Sequence, residues 1–311
     1  QAIDLARRHG LTLIDNEAEV AVRAMNWGRS EVGQVDFTDM IYLPNVLQTR
    51  MPQYDWVLID ECQDLNAAQR HLFLRCVKPE TGRFIAVGDP QQAIYGFAGA
   101  DINSFNLLAE LPNTQKLPLS VCYRCDVEII KMAQSIVPQI EWREGANEGT
   151  INKEALLKEV QDGDMILCRN SAPLAKLCMK YLSEGTKAYI KGKDIGKNLI
   201  NLLEKTKETN IVKALTKLNE EGERMVKKIM GKNQITESEA REESSYVTFK
   251  DKVQAIEILS EGLSQVRQLV SRIEAIFTEG DRRGICLSTI HKAKGLEADR
   301  VFIACPDKLY N

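Results

Sequence analysis

VLIDECQDLN, residues 57 to 66, decides how this chain is read. Val57, Leu58 and Ile59 run straight into Asp60 and Glu61. A short apolar run bounded by polar residues reads as a buried strand. Ligands of parallel α/β sheets gather at the carboxyl ends of the strands. Two acids at such an end have a chemical use in nucleotide hydrolysis. One holds Mg²⁺, usually through water, and the other orients or deprotonates the attacking water. A plainer use is the start of a helix, with Asp60 capping and Glu61 in the first turn. Taken alone, the two acids fit the plainer use better.

The next strand changes that balance. FIAVGDPQQ, residues 84 to 92, sets Gly88, Asp89 and Gln92 at the end of a neighbouring strand. An amide there can sense a γ-phosphate or polarise water, so two adjacent strands aim polar groups at one crevice. Downstream, IYGFAGAD exposes Tyr95 and Phe97 among glycines. Aromatics on such a loop stack on unpaired bases, at roughly 1–3 kcal/mol per base. The alternative is that they pack beneath the loop, and for Tyr95 that reading is as good.

The surrounding chain reads as α/β. Residues 1–50 have helical spacing, as in AEVAVRAMNW and in DFTDMIYLPNVLQ, where Pro44 is a kink or a break. YDWVLID and FIAVGD read as strands with a helix over NAAQRHLFLRCV between them. SFNLLAEL is a helix and QKLPLS a strand. DVEIIKMAQSIV is helical, DMILCR a strand, SAPLAKLCMKYLSEG a helix ended by Gly185, and KAYI a strand. This alternation predicts parallel sheets. Residues 194–283 are long, charged and helical, and read as an insertion whose mixed charges form a solvated face. GICLSTI and RVFIAC then resume the strands.

The bulk numbers bound the function. With 311 residues the chain has room for about two domains. A net charge of −3 gives no global signal for nucleic acid, although a groove can be basic on a neutral protein. No apolar run reaches membrane-spanning length, so no membrane is expected as a partner. The N-terminus QAIDLARRHG is no signal peptide, which predicts a cytoplasmic protein. It lacks a Met and opens inside a helical pattern, so a piece of a longer chain is expected. Of the eight cysteines only Cys122 and Cys125 form a CxxC, and no second pair or histidines stand at zinc-site spacing. Free thiols in a reducing cytoplasm are the expectation.

Four segments in order, DECQDLN, GDPQQAIYGFAGAD, LSVCYRC and LSTIHKAKGLEADRVF, resemble motifs II, III, IV and V of the superfamily 1 DNA helicases of the UvrD/Rep/PcrA kind. The resemblance runs from about residue 36 onward. It implies RecA-like parallel-sheet domains of the P-loop NTPase type with a helical insertion. ATP and Mg²⁺ would sit between two such domains, and the protein would move along single-stranded DNA, generally 3′ to 5′. The expected division is 1–118 for the later part of the first RecA-like domain, 119–195 with 284–311 for an incomplete second one, and 196–283 for the insertion. By the same resemblance Asp60 is the Mg²⁺-associated acid, through water, and Glu61 the acid that activates water. Gln92 senses the γ-phosphate and Arg124 reaches it as a cation. Glu297 contacts the nucleotide. Phe97 stacks on a base, and Thr289 and His291 lie at the DNA and coupling surface with Lys294 and Gly295 nearby. Single-stranded DNA, duplex junctions and a nuclease or repair partner are the implied partners.

The chain also departs from that family. G-x-x-x-x-G-K-[ST] occurs nowhere in it. KAYIKGKDIGKN imitates it, read as a strand, then Gly192–Lys197, then a helix, but its glycines are one residue too close and Asn198 stands where Mg²⁺ would want Ser or Thr. The last motif of the family, with a second arginine, is missing as well. Cys62, Leu65 and Ala98 replace an aromatic, a Thr and an Arg, and CYRC replaces the usual NYRS. The expectation is a helicase piece without ATPase activity of its own. Two alternatives stand beside it: a subunit of an exonuclease V-like helicase-nuclease, and a catalytically silent DNA-binding scaffold.

Overall fold

The computed structural model describes residues 26, 33, 35–94, 96, 99–278 and 283–305. Two compact units divide the chain, Gln1–Ile151 and Asn152–Asn311. Both are mixed α/β with parallel strands. The helix expected over AEVAVRAMNW and the side chains of Tyr95 and Phe97 lie outside the described residues.

In the first unit α1 (Asp39–Val46) carries Pro44 inside it, so this proline does not end the helix. The Pro44 carbonyl instead accepts from Arg75 Nη1 at 2.7 Å. Arg75 closes α2 (Ala67–Arg75), which lies between β1 (Trp56–Ile59) and β2 (Arg83–Ala86). The two strands pair in parallel, Ile59 opposite Ala86. Val57 and Ile59 point into a small core with Cys62, Leu65 and Leu108 of α3 (Ser104–Ala109). The opposite face of the same strands is exposed, with Leu58 at 73%. A second two-stranded parallel sheet joins β3 (Val121–Cys122) to β4 (Glu141–Trp142), with α4 (Val127–Ala133) between them. QKLPLS is therefore not a strand: Pro118 lacks an N–H for a ladder and Leu117 and Leu119 are exposed, so pairing begins only at Val121.

The second unit is built on a five-stranded parallel sheet, in the order β7–β6–β8–β5–β9. These strands are β5 (Met165–Cys168), β6 (Ala188–Lys191), β7 (Phe277–Thr278), β8 (Ile285–Thr289) and β9 (Val301–Ile303). Every residue of the central β8 is buried, as expected for a strand covered on both faces. α5 (Ser171–Ser183) ends at Gly185, whose φ of +78° suits glycine. Then come α6 (Lys193–Lys205), α7 (Ile211–Asn233), α8 (Glu237–Glu242), α9 (Ser244–Leu259) and α10 (Val266–Ile276).

Four of these helices, α6, α7, α9 and α10, share one continuous core with the sheet, while Ala240 of α8 packs with Val226 and Tyr246 in a separate small cluster. Leu199, Leu218, Ile256 and Ile273 join Ile166, Leu174 and Leu287 in a single buried cluster. A side-chain cap strengthens the junction. Asp251 of α9 accepts from the backbone N–H groups of Ser171 at 2.9 Å and Ala172 at 3.0 Å. A carboxylate there satisfies two orphan donors and complements the dipole of α5. The imitation of a phosphate loop is not a loop in the fold, since Lys193–Lys197 already form the first turns of α6.

Candidate functional site

The acids sit where the ladder between β1 and β2 is interrupted. Val87 donates its N–H to the Ile59 carbonyl at 2.8 Å, and its own carbonyl accepts from Cys62 at 2.9 Å. One residue on the second strand thus pins both Ile59 and Cys62. Asp60 and Glu61 are pushed out between them, as the extra residues of a bulge are. Glu61 takes the left-handed conformation, with φ 50° and ψ 43°. That costs a residue with a Cβ about 1–2 kcal/mol and persists only where its surroundings impose it. The outcome is two exposed carboxylates aimed away from the core. The helix-start reading of these acids does not hold for α2: Asn66 caps it, in a reciprocal capping box with Gln69. A single 3-10 turn, Cys62–Asp64, separates the acids from that cap.

Gln63 ties the acids to the second strand. Its side chain is fully buried, donates through Nε2 to Glu61 Oε2, and accepts through Oε1 from the Asp89 N–H at 3.0 Å. Asp89 caps the turn Pro90–Gln92, accepting from the Gln91 N–H at 2.9 Å and from Gln92 Nε2 at 2.8 Å. Glu61, Gln63, Asp89 and Gln92 therefore form one chain of contacts. Gly88 makes it sterically feasible. A Cβ there would stand 2.5 Å from Gln63 Oε1 and 2.7 Å from Cys62 Sγ. The glycine-rich segment that follows is tied back at its far end. The Asp101 N–H donates to the Leu65 carbonyl at 3.0 Å, and the Asp101 carboxylate lies 3.2 Å from Arg70 as an ion pair.

Asp60 presents an exposed carboxylate. Its Oδ1 accepts the Glu61 N–H at 2.9 Å, while its Oδ2 has no donor among the described residues. A hard divalent cation takes one or two carboxylate oxygens and keeps several waters, so this exposed oxygen fits Mg²⁺. Arg124 stands just after β3, on the other small sheet, and is exposed.

In the second unit the polar groups again gather at strand ends. β5 and β8 are neighbours in register, Cys168 opposite Thr289. Thr289 caps α11 (Ile290–Ala293), accepting from the Lys292 N–H. His291 in that helix meets Arg169, the first residue after β5, with Nη1 and Nδ1 3.2 Å apart. Partial burial, and then the Arg169 charge, hold the His291 imidazole below its ordinary range, so the neutral ring is favoured. Lys292 is ion-paired with Asp194 of α6 at 2.9 Å. Glu297 is exposed between Leu296 and Ala298, which pack against Met165, Tyr189 and Cys286. Gly295 has a φ of +82° in the turn before it.

Residues 13–112 match the model of the UvrD/REP helicase N-terminal domain. DNA helicase II of Escherichia coli (strain K12) is 25% identical over 173 residues, covering 49% of this chain and 24% of that protein. ATP-dependent DNA helicase PcrA of Leuconostoc citreum is 29% identical over 149 residues, 43% of this chain and 20% of that protein. The chain is UvrD/Rep/PcrA-like. It spans about a quarter or less of the length of the curated relatives it matches. Over a shorter stretch, 61 residues, it is 46% identical to RecBCD enzyme subunit RecB of Buchnera aphidicola subsp. Baizongia pistaciae, covering 20% of this chain and 5% of that subunit.

The matched UvrD/REP region contains Asp60, Glu61 and Gln92, which the fold brings together. Arg124, Thr289, His291 and Glu297 lie beyond it. Two residues of this UvrD-like chain escape a reading by motif positions. Gln63 is a polar residue inside the best-marked segment, and its total burial is the property that matters. Arg169 is the last residue of DMILCR, so the rule that strand carboxyl ends carry function would have flagged it.

Proposed function

We propose that this chain is the nucleotide-hydrolysing and DNA-engaging portion of an ATP-dependent DNA helicase with RecA-like domains. Such a protein moves on single-stranded DNA, 3′ to 5′, and opens duplex junctions. The observation that carries the reading is the contact chain Glu61–Gln63–Asp89–Gln92 beside Asp60. It holds an acid and an amide, from two neighbouring strands, in one place.

The roles follow from chemistry. Asp60 would hold Mg²⁺, which when bound would supply neutralising charge for the phosphates of the substrate ATP. Glu61 takes a proton from the attacking water. Gln63 keeps that carboxylate turned toward the strand end. Gln92 donates to the γ-phosphate and reports its loss to Asp89. Arg124 supplies a cation to the charge that develops in the transition state, and Glu297 contacts the nucleotide. Tyr95 and Phe97 stack on bases. Thr289 and His291 face the DNA, and the neutral imidazole can accept as well as donate a hydrogen bond.

The 311 residues contain no G-x-x-x-x-G-K-[ST]. Backbone amides and a lysine to cradle the β- and γ-phosphates are what that motif supplies. The chain alone is therefore silent in ATP hydrolysis, while the complete product of its gene is stimulated by single-stranded DNA. Hydrolysis by both, with and without that DNA, tests the reading. Glu61→Gln in the complete protein lowers turnover by about 10²–10⁴-fold. Silence from the complete protein with DNA binding retained would replace this proposal with a scaffold role. The stretch similar to RecB favours a second reading, a helicase subunit working with a nuclease, and nuclease activity in the complete protein is its test.

A further inference from the structure

Two histidines of this chain meet partners of opposite hydrogen-bond character, and those partners fix where each ring carries its proton. His71 of α2 has its Nδ1 2.6 Å from Asn45 Oδ1. The Asn45 amide nitrogen already donates to the carbonyls of Ile41 at 2.8 Å and Ala68 at 3.0 Å. The amide oxygen therefore faces the ring and accepts, so His71 carries a proton on Nδ1. His291 of α11 is the reverse case. Its Nδ1 lies 3.2 Å from Arg169 Nη1. A guanidinium donates and never accepts. Nδ1 must then offer its lone pair, and the neutral ring has its single proton on Nε2. Partial burial, and then the Arg169 charge, disfavour a second proton on this ring.

The contact is anchored from both sides. Cys168, fully buried, stands opposite Thr289 in the sheet, and Arg169 follows directly. The chain just beyond Arg169 is gripped by Asp251 of α9, which accepts the Ser171 and Ala172 N–H groups. On the other side Thr289 Oγ1 accepts from the Lys292 N–H, and Lys292 Nζ is ion-paired with Asp194 of α6 at 2.9 Å. Two neighbouring strand ends, each held by a carboxylate from the helices between β6 and β7, thus set the spacing of guanidinium and imidazole.

The geometry points to Arg169 as a positioning residue that locks His291 in its Nε2–H tautomer, so that the ring donates through Nε2 to an acceptor oxygen of single-stranded DNA. The locked tautomer stands on the Arg169 contact alone, whereas the DNA acceptor rests on the function proposed above. A histidine that exchanges its proton between nitrogens offers either polarity at Nε2. One whose Nδ1 is occupied by a cationic donor offers a donor only, which suits the oxygen-rich backbone and base carbonyls of a nucleic acid.

The first arm of the test reads the proton directly. Ring ¹⁵N signals of the chain are recorded by NMR at about pH 8, above the ordinary histidine value near 6.5. They are assigned with His71→Gln and His291→Gln. In the unaltered chain Nε2 is the protonated nitrogen of His291, and Nδ1 that of His71. Arg169→Lys, still a donor, leaves the His291 proton on Nε2, and Arg169→Glu, an acceptor, moves it to Nδ1. A proton on Nδ1 of His291 in the unaltered chain overturns the assignment, and that result needs no variant to fold. So does a folded Arg169→Glu whose His291 is unchanged. The second arm uses the complete protein and a single-stranded oligothymidylate. Glutamine sets an amide N–H near the place of Nε2, and asparagine sets one near that of Nδ1. His291→Asn should bind about tenfold more weakly than His291→Gln. Equal affinities of these two variants would sink the donor role. Absence of binding by the unaltered protein would sink the DNA reading of this surface and the donor role with it, while leaving the tautomer result intact.

Discussion

The carboxyl ends of β1 and β2 and those of β5 and β8 both carry polar groups, but they are ordered by opposite means. At β1 and β2 the sheet has two strands, one exposed apolar face and a small core. Order there comes from directed contacts: the Val87 clamp, the Gln63 bridge and the Asp89 cap. At β5 and β8 the sheet has five strands and its central strand is wholly buried. Arg169 and His291 are placed there chiefly by packing beneath them. A site can be preorganised by hydrogen bonds where apolar burial is scarce, and by a core where it is plentiful.

Damage to the core of the second unit should produce the largest effect. Leu287→Ala removes a fully buried side chain from the centre of β8 and should cost about 3 kcal/mol. Hydrogen exchange should accelerate across β5, β6 and β8 together, and a change confined to β8 would contradict a shared core. Next comes Gln63→Leu, which fills the same space but removes the buried amide that bridges Glu61 and the Asp89 N–H. It should cost about 1–3 kcal/mol in denaturant titration. A loss below a few tenths would mean that directed contacts do not hold the β1–β2 end. Asp251→Ala should lower stability by about 1 kcal/mol, since it uncaps α5 from outside the helix. Faster exchange at the Ser171 and Ala172 amides is the specific sign.

The smallest effect concerns acidity. His291 has its folded value depressed, so its contribution to stability is present above the unfolded value near 6.5 and is lost as pH falls through the folded one. By NMR it should titrate below that reference. Arg169→Ala should raise its midpoint only part of the way, because burial is the larger cause and the charge the lesser. Full recovery of the ordinary value in that variant would reverse the ranking.

Much of the fold was legible because strand signals are local. VLID, MILC, ICLST and VFI were each visible as apolar runs, and the structure has strands at Trp56–Ile59, Met165–Cys168, Ile285–Thr289 and Val301–Ile303. Short-window reading failed where one residue type vetoes pairing. Pro118 left QKLPLS out of the sheet despite its leucines. It also missed what distant residues do to each other. Asp251 caps a helix 80 positions earlier, and no local pattern marks it as a cap. The charged look of residues 194–283 likewise hides apolar sides on α6, α7, α9 and α10, and those sides meet the sheet in a single core. At the site, Asp60, Glu61 and Gln92 were visible as polar groups at strand ends. Gln63 was not, since sequence alone assigns a glutamine to solvent and only the close approach allowed by Gly88 buries it.

The order of strands in the larger sheet has a consequence for synthesis. β8 lies between β6 and β5, yet it is made after both, with α6 to α10 emerging in between. Translation at bacterial to eukaryotic rates needs on the order of ten seconds to pass from Lys191 to Ile285. Throughout that interval β5 and β6 have been made but their shared neighbour has not. Two parallel strands with open flanks can recruit the wrong chain. The nascent protein is therefore at its most vulnerable late, and a ribosome that stalls before Ile285 leaves a sheet without its middle.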